Sequence, residues 1–178
     1  MNIPNFLTLL RIALVPLFVI IYSNPSPLRA FIATATFLLA AFTDFLDGYL
    51  ARKRGEITQF GKLMDPIADK LLVISALLLL VYFQRIPVWI VIILIGREMA
   101  VTGLRAVASL EGIIIPADRW GKYKMGAQIT ALALLLWNLT APLDFQFWGT
   151  AVLWLSLVLS IYSGVQYFIN YARADYKK

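Results

Sequence analysis

Asp44-Phe45-Leu46-Asp47-Gly48-Tyr49-Leu50-Ala51-Arg52, followed after eight residues by Gly61-Lys62-Leu63-Met64-Asp65-Pro66-Ile67-Ala68-Asp69, decides how this chain is read. Residues three or four apart share a helix face. At 3.6 residues per turn, Asp44, Asp47, Gly48 and Ala51 fall within a sector of about 100°. Gly61, Asp65 and Asp69 form a second such face. Lys53-Arg54-Gly55-Glu56 reads as a short connection. The two helices are therefore expected to be antiparallel neighbours with their aspartate ends together. Four adjacent carboxylates repel one another, and like charges disfavour ionisation. Bound divalent cations remove the conflict. A donor set of oxygens alone suits a hard ion such as Mg²⁺ or Mn²⁺. Two such ions about 3.5–4 Å apart form the usual clamp for phosphoryl displacement.

The surroundings of this stretch are apolar. Of 178 residues, 61% are hydrophobic and 15% charged, with a net charge of +6; the mean hydropathy is +0.78. Soluble domains are about 45–50% apolar, so the composition points to a membrane and excludes disorder. Six segments approach the roughly 20 apolar residues of a spanning helix: 5–22, 28–50, 62–83, 86–108, 120–139 and 145–171. Turn formers separate them at 24–27, 85–87, 112–116 and 141–142. The first segment lacks a basic leader and a small-residue cleavage site, so it reads as a retained helix. The expectation is one domain over residues 1–178, a six-transmembrane-helix bundle.

Basic residues set its orientation, because short cytoplasmic loops carry the Lys and Arg excess. With both termini cytoplasmic, Arg52, Lys53, Arg54, Lys62, Arg119, Lys122, Lys124, Arg173, Lys177 and Lys178 all face inward, and the outer loops hold only Arg29 and Arg85. The basic rim either reports topology alone or also contacts anionic membrane lipids. The tryptophans read as interfacial belts, and the last segment as a span without chemistry.

Cysteine and histidine are both absent. That excludes disulfides, thiolate nucleophiles, Ser-His-Asp chemistry and zinc-histidine sites. Yet Asp44, Asp47, Asp65, Asp69, Arg97, Glu98 and Arg105 all lie inside the candidate spans. Each costs about 2.5–3.5 kcal/mol at a helix centre, which anchoring alone does not explain. Gly48 and Ala51 either leave room beside the metals for a flat group such as a nucleobase or allow close helix packing. Arg52 either pairs with a diphosphate or snorkels to the interface. Asn5, Thr8 and Arg11 form a polar stripe that either meets substrate or caps the first helix and snorkels.

The complete spacing, D-x2-D-G-x2-A-R-x8-G-x3-D-x3-D, resembles the signature of the CDP-alcohol phosphotransferase family, with all eight fixed positions present across 26 residues. Outside it, Ile3-Pro4-Asn5, Leu7-Thr8 and Arg11 resemble the opening of the branch whose acceptor alcohol is sn-glycerol 3-phosphate. So do Gly96-Arg97-Glu98, Val101 to Arg105, Ile115-Pro116-Ala117, Gly121 to Lys124 and Gln128; Met125 departs from it, standing where threonine is usual. The resemblance implies transfer of the phosphatidyl group of CDP-diacylglycerol to the acceptor's 1-hydroxyl, with release of CMP. It implies that Asp44, Asp47, Asp65 and Asp69 bind two Mg²⁺ or Mn²⁺ ions and that Asp69 is also the general base. Gly48, Ala51 and Arg52, with Asn5 and Thr8, would line the CDP site. It further implies a homodimer, and no nucleic-acid partner is expected. The basic asymmetry puts the aspartates at the cytoplasmic face, and small size without a transit peptide favours a bacterial over an organellar membrane.

An acceptor carrying its own phosphate needs cations beside the diphosphate. Arg97, Arg105, Lys122 and Lys124 are the candidates. Arg97 and Arg105 lie about two helical turns apart and share a face, and a guanidinium grips phosphate bidentately. Alternatively, Arg97 pairs with an acidic group on a neighbouring helix, since Glu98, adjacent in sequence, is expected to point elsewhere. Two other readings stand beside this one. Serine, inositol 1-phosphate or phosphatidylglycerol is the acceptor in one; in the other the chain is a small carboxylate-based transporter, although such carboxylates usually lie at the bilayer midplane.

Overall fold

A computed structural model describes the backbone of residues 3–54, 59–113, 119–138 and 144–175, and the side chains of residues 8–43, 64, 67, 68, 70–113, 120–138 and 144–174. Six helices follow in order: α1 (Ile3–Tyr22), α2 (Pro27–Arg54), α3 (Gln59–Tyr82), α4 (Val88–Leu110), α5 (Arg119–Trp137) and α6 (Phe145–Asp175). No strand occurs among the described residues.

The helix ends follow from local chemistry. Ser26 caps α2, its hydroxyl accepting a bond from the Arg29 N–H at 3.3 Å, with Pro27 at the first helical position. Asp144 accepts from the Gln146 N–H at 3.0 Å and starts α6 in the same way. α4 closes on Gly112 at φ +71°, which turns the chain so that the Ile113 N–H reaches the Ala108 carbonyl at 2.8 Å and the Gly112 N–H reaches Ser109 at 3.3 Å. Ile113 and Ala108 are both buried at that turn. α3 closes with the same two bonds, Arg85 to Leu80 and Gln84 to Val81, but there Gln84 takes the left-handed position at φ +56°.

α2 runs further than its sequence suggests. Lys53 and Arg54 are its last turn and not part of the connection. Both residues favour helix, and cations are stabilised at a helix C-terminus.

Side-chain contacts fix the directions of the helices. α4 and α6 lie side by side and parallel: Gln146 donates to the Arg85 carbonyl at 2.7 Å, Arg97 to the Ser160 carbonyl at 3.0 Å, Arg105 to the Tyr167 hydroxyl at 3.4 Å, and the Tyr171 hydroxyl to Glu111 at 2.7 Å. α5 runs the other way against α6. Its Leu135 meets Gly149 near the start of α6, while the Lys124 carbonyl accepts from Ser156 further along. Tyr22 and Phe83, with ring centroids 5.6 Å apart, join the ends of α1 and α3. Phe31 on α2 meets Trp137 at the end of α5, 5.3 Å between centroids. The helices therefore alternate in direction. The α2–α3 and α4–α5 connections share one end of the bundle with the start of α1 and the end of α6.

The core runs down the bundle axis through Phe18, Phe37, Leu72, Leu77, Leu80, Ile90, Leu94, Leu132, Leu135 and Leu136, all essentially inaccessible. Large apolar side chains also cover the outside, among them Ile20, Leu39, Ile92, Met99, Leu110 and Val158. Among the described residues, one helical stretch, Phe145–Ala174, is long and apolar enough to cross a membrane by length and composition alone. Thr8–Tyr22, Pro27–Thr43 and Lys70–Tyr82 are shorter apolar stretches. The sequence expectation was six spans. Arg97, Glu98 and Arg105 interrupt α4, whereas the three shorter stretches begin or end at the limits of the described side chains, Thr8, Thr43 and Lys70, so the expected spans of α1, α2 and α3 reach outside the described residues.

Candidate active site

The backbone carries Asp44, Asp47, Gly48, Ala51 and Arg52 on the last turns of α2, and Asp65 and Asp69 on the first half of α3. α2 and α3 are in contact. The side chains of these seven residues and of Asn5 lie outside the described residues. Among the described residues no three His, Cys, Asp or Glu side chains come together. As a donor set, four aspartates on two adjoining helices fit a hard divalent cation, because every ligand atom they offer is oxygen. On α1, Thr8 and Arg11 are both fully buried. Arg11 therefore does not snorkel to the interface.

One residue beyond Asp69 the wall of a cavity begins. Lys70 donates to the Thr102 hydroxyl at 2.6 Å, joining α3 to α4. The cavity lies between α3, α4, α5 and α6 and holds about 480 Å³, within the usual range for small-molecule sites. Arg97, Arg105, Lys122 and Lys124 all line it. Its inner walls are apolar, formed by Val73, Leu77, Leu94 and Ile129.

The four cations are held differently. Arg97 is nearly enclosed. Its Nε donates to the Ser160 carbonyl at 3.0 Å, one terminal nitrogen to the Ser163 hydroxyl at 2.6 Å, and the other to Glu98 Oε2 at 3.1 Å. Glu98 thus does not point elsewhere, as its place in the sequence suggests; its flexible side chain folds back beside Arg97. Nor is Arg97's neighbouring-helix partner acidic: α6 supplies a carbonyl and a hydroxyl. Gly164 eases this approach, since a Cβ there would stand 3.2 Å from the Arg97 Cγ, a tight contact. Lys124, buried, donates to the same Glu98 oxygen at 2.6 Å. Arg105 is more open. Its Nε donates to the Tyr167 hydroxyl at 3.4 Å and its guanidinium carbon lies 5.6 Å from that ring's centroid, within cation–π range. Its terminal nitrogens make no hydrogen bond among the described residues. Lys122 is exposed at the rim.

α6 is more than a span. Ser156, Ser160, Ser163 and Tyr167 are all buried on one face of it, and three of them serve Arg97 and Arg105. Their spacing of four, three and four residues was a visible signal, a polar stripe at helical period in an apolar helix. Lys70 carried a weaker one, a lone lysine at the head of the apolar run 71–83.

Comparison with known proteins bears on the same chain. The sequence pattern of the CDP-alcohol phosphatidyltransferase family matches residues 1–162. A Bacillus subtilis protein named CDP-diacylglycerol–glycerol-3-phosphate 3-phosphatidyltransferase is 43% identical over 94% of this chain and 93% of its own length. Proteins of the same name from Haemophilus influenzae and Escherichia coli are 42% and 38% identical, over 93% and 98% of this chain and 91% and 96% of their own lengths. A pattern covering most of the chain, the aspartate spacing within it, and relatives matched almost end to end agree: this chain belongs to the CDP-alcohol phosphatidyltransferase family.

Proposed function

We propose that this protein transfers the phosphatidyl group of CDP-diacylglycerol to the 1-hydroxyl of sn-glycerol 3-phosphate at the cytoplasmic face of a bacterial membrane. The products are phosphatidylglycerophosphate and CMP. The observation that carries the choice of a phosphorylated acceptor is the cavity beside Asp69, whose walls bear Arg97, Arg105, Lys122 and Lys124. An uncharged acceptor would have no use for Arg105 and Lys122, the two of these cations that Glu98 does not engage. The printed names of the relatives favour the same substrates.

In this reading Asp44, Asp47, Asp65 and Asp69 hold two divalent ions, Mg²⁺ or Mn²⁺. When bound, such ions neutralise the diphosphate and polarise the phosphorus. Gly48 and Ala51, with their minimal side chains, leave space for the cytidine, and Arg52 faces its diphosphate. Asn5 borders the nucleotide from α1, with Thr8, itself buried, behind it. Arg105 and Lys122 grip the acceptor phosphate, with Arg97 and Lys124 behind them. Asp69 takes the proton of the 1-hydroxyl as its oxygen bonds to the lipid-side phosphorus and the bond to CMP breaks. Without histidine or cysteine in the chain, a carboxylate is the natural base. Positioning and charge neutralisation supply most of the rate in phosphoryl transfer.

All six helices cross the bilayer in this proposal, with both termini cytoplasmic. The end of the bundle holding the α2–α3 and α4–α5 connections is also the end richest in Lys and Arg, as the positive-inside rule requires. The chain works as a homodimer among membrane lipids. An acceptor screen tests the reading. Detergent-solubilised protein with CDP-diacylglycerol and Mg²⁺ should release CMP with sn-glycerol 3-phosphate, and far less with serine or inositol 1-phosphate. Preference for either of those would reassign the acceptor.

A further inference from the structure

Glu98 is the one carboxylate among the described side chains of the cavity wall, and gripping a phosphate gives it no task. Its Oε2 is fully engaged, accepting from Lys124 at 2.6 Å and from Arg97 at 3.1 Å. The Lys124 bond ties α5 to α4, and together the two bonds fix the carboxylate in place. Its Oε1 accepts no hydrogen bond among the described residues. The other charged groups on the wall, Lys70, Arg97, Arg105, Lys122 and Lys124, are all donors. Among its described charged groups the cavity thus offers one acceptor, a carboxylate held in place by two donors and with one oxygen unfilled. A phosphate cannot use it; a hydroxyl can.

We propose that Glu98 is a specificity-determining residue, accepting a hydrogen bond from the secondary hydroxyl of the acceptor. The pocket would thereby select a phosphorylated polyol over a phosphorylated alcohol that lacks this hydroxyl. The inference rests on the acceptor reading above and sharpens it. Arg105 follows Glu98 by seven residues, which puts the two on one face of α4 about 10.5 Å apart along its axis. Both side chains line the same cavity. A phosphate at Arg105 and the secondary hydroxyl at Glu98 then suit one small polyol phosphate whose 1-hydroxyl is left free to react. Lys124 and Arg97, committed to Glu98, hold the acceptor oxygen still, and Arg105 and Lys122 keep the phosphate.

The test compares two acceptors that differ only in this hydroxyl: sn-glycerol 3-phosphate and 3-hydroxypropyl phosphate. The readout is the ratio of their kcat/KM values in CMP release from CDP-diacylglycerol. A hydrogen bond to a charged group predicts a wild-type ratio of roughly ten- to a hundredfold. Glu98→Ala should bring the ratio close to one. Glu98→Gln keeps an acceptor oxygen without charge and should leave an intermediate ratio. A merely structural role would lower both rates together and leave the ratio unchanged, and that result would overturn the proposal. So would a wild-type ratio near one. If Glu98→Ala does not fold, the Gln variant decides, because an unaltered ratio there is equally fatal. Wild-type enzyme that releases CMP with a different alcohol, but not with glycerol phosphate, would overturn the acceptor reading itself.

Discussion

Replacing Arg105 separates the proposed acceptor site from the nucleotide site. Its Nε is turned toward the Tyr167 hydroxyl at 3.4 Å, a long bond, and the ring lies 5.6 Å beneath the guanidinium carbon. Tyr167, itself buried, gives the guanidinium a fixed neighbour on the cavity wall. A charge-assisted hydrogen bond is worth about 1.5–3 kcal/mol, or roughly ten- to a hundredfold in affinity. Arg105 is exposed as a residue, so water competes for the same phosphate and the lower end of the range applies. Arg105→Ala should raise the KM for sn-glycerol 3-phosphate about tenfold and leave the KM for CDP-diacylglycerol nearly unchanged. Its effect on stability should be small, because the side chain is held at only one long bond. Arg105→Lys should restore part of the loss, since an ammonium lacks the planar fork. Tyr167→Phe, which keeps the ring and removes the hydroxyl, should cost only a few-fold. Steady-state kinetics with each substrate varied in turn, in detergent micelles, gives both constants. A variant whose CDP-diacylglycerol KM rises while the glycerol phosphate KM stays fixed would move Arg105 to the nucleotide site.

Other expectations follow from single residues. Asp69→Asn should slow turnover by about 10²–10⁴ while CDP-diacylglycerol still binds; loss of binding as complete as in Asp44→Asn would make Asp69 a ligand and no base. Gly149→Ala should lower thermal stability by about 1–3 kcal/mol, because the new Cβ would stand 2.7 Å from the Leu135 Cγ and 3.2 Å from its backbone nitrogen; an unchanged melting temperature would mean that α5 and α6 separate freely. Gln84→Gly should raise the melting temperature, because a left-handed residue costs about 1–2 kcal/mol unless it is glycine, partly offset by glycine's unfolded-state entropy; a lower melting point would contradict this.

Much of the bundle was legible because its punctuation is chemical. Asn24-Pro25-Ser26-Pro27 and Gly112 mark helix ends that the structure explains bond by bond. Lys53 and Arg54 misled because they look like a loop by charge, whereas their propensity extends α2. The cations of the cavity could be chosen from sequence because their charge is out of place in apolar helices. Their partners could not. Glu98 was discounted as the neighbour of Arg97, a rule about Cβ directions that long side chains escape by bending. The α6 stripe was overlooked because serine is cheap in an apolar helix and its burial depends on which helix stands opposite. Pairing across α4 and α6 joins residues 60–66 positions apart, and no local pattern encodes that.

The central claim is attack by the glycerol phosphate hydroxyl on the lipid-side phosphorus at a divalent-metal site. Product analysis by mass spectrometry tests it most directly, with purified protein, CDP-diacylglycerol, sn-glycerol 3-phosphate and Mg²⁺, with and without EDTA. The account predicts CMP and phosphatidylglycerophosphate in equal amounts, dependent on the acceptor and abolished by the chelator. Phosphatidate as the lipid product, CMP release that ignores the acceptor, or full turnover in EDTA would contradict it.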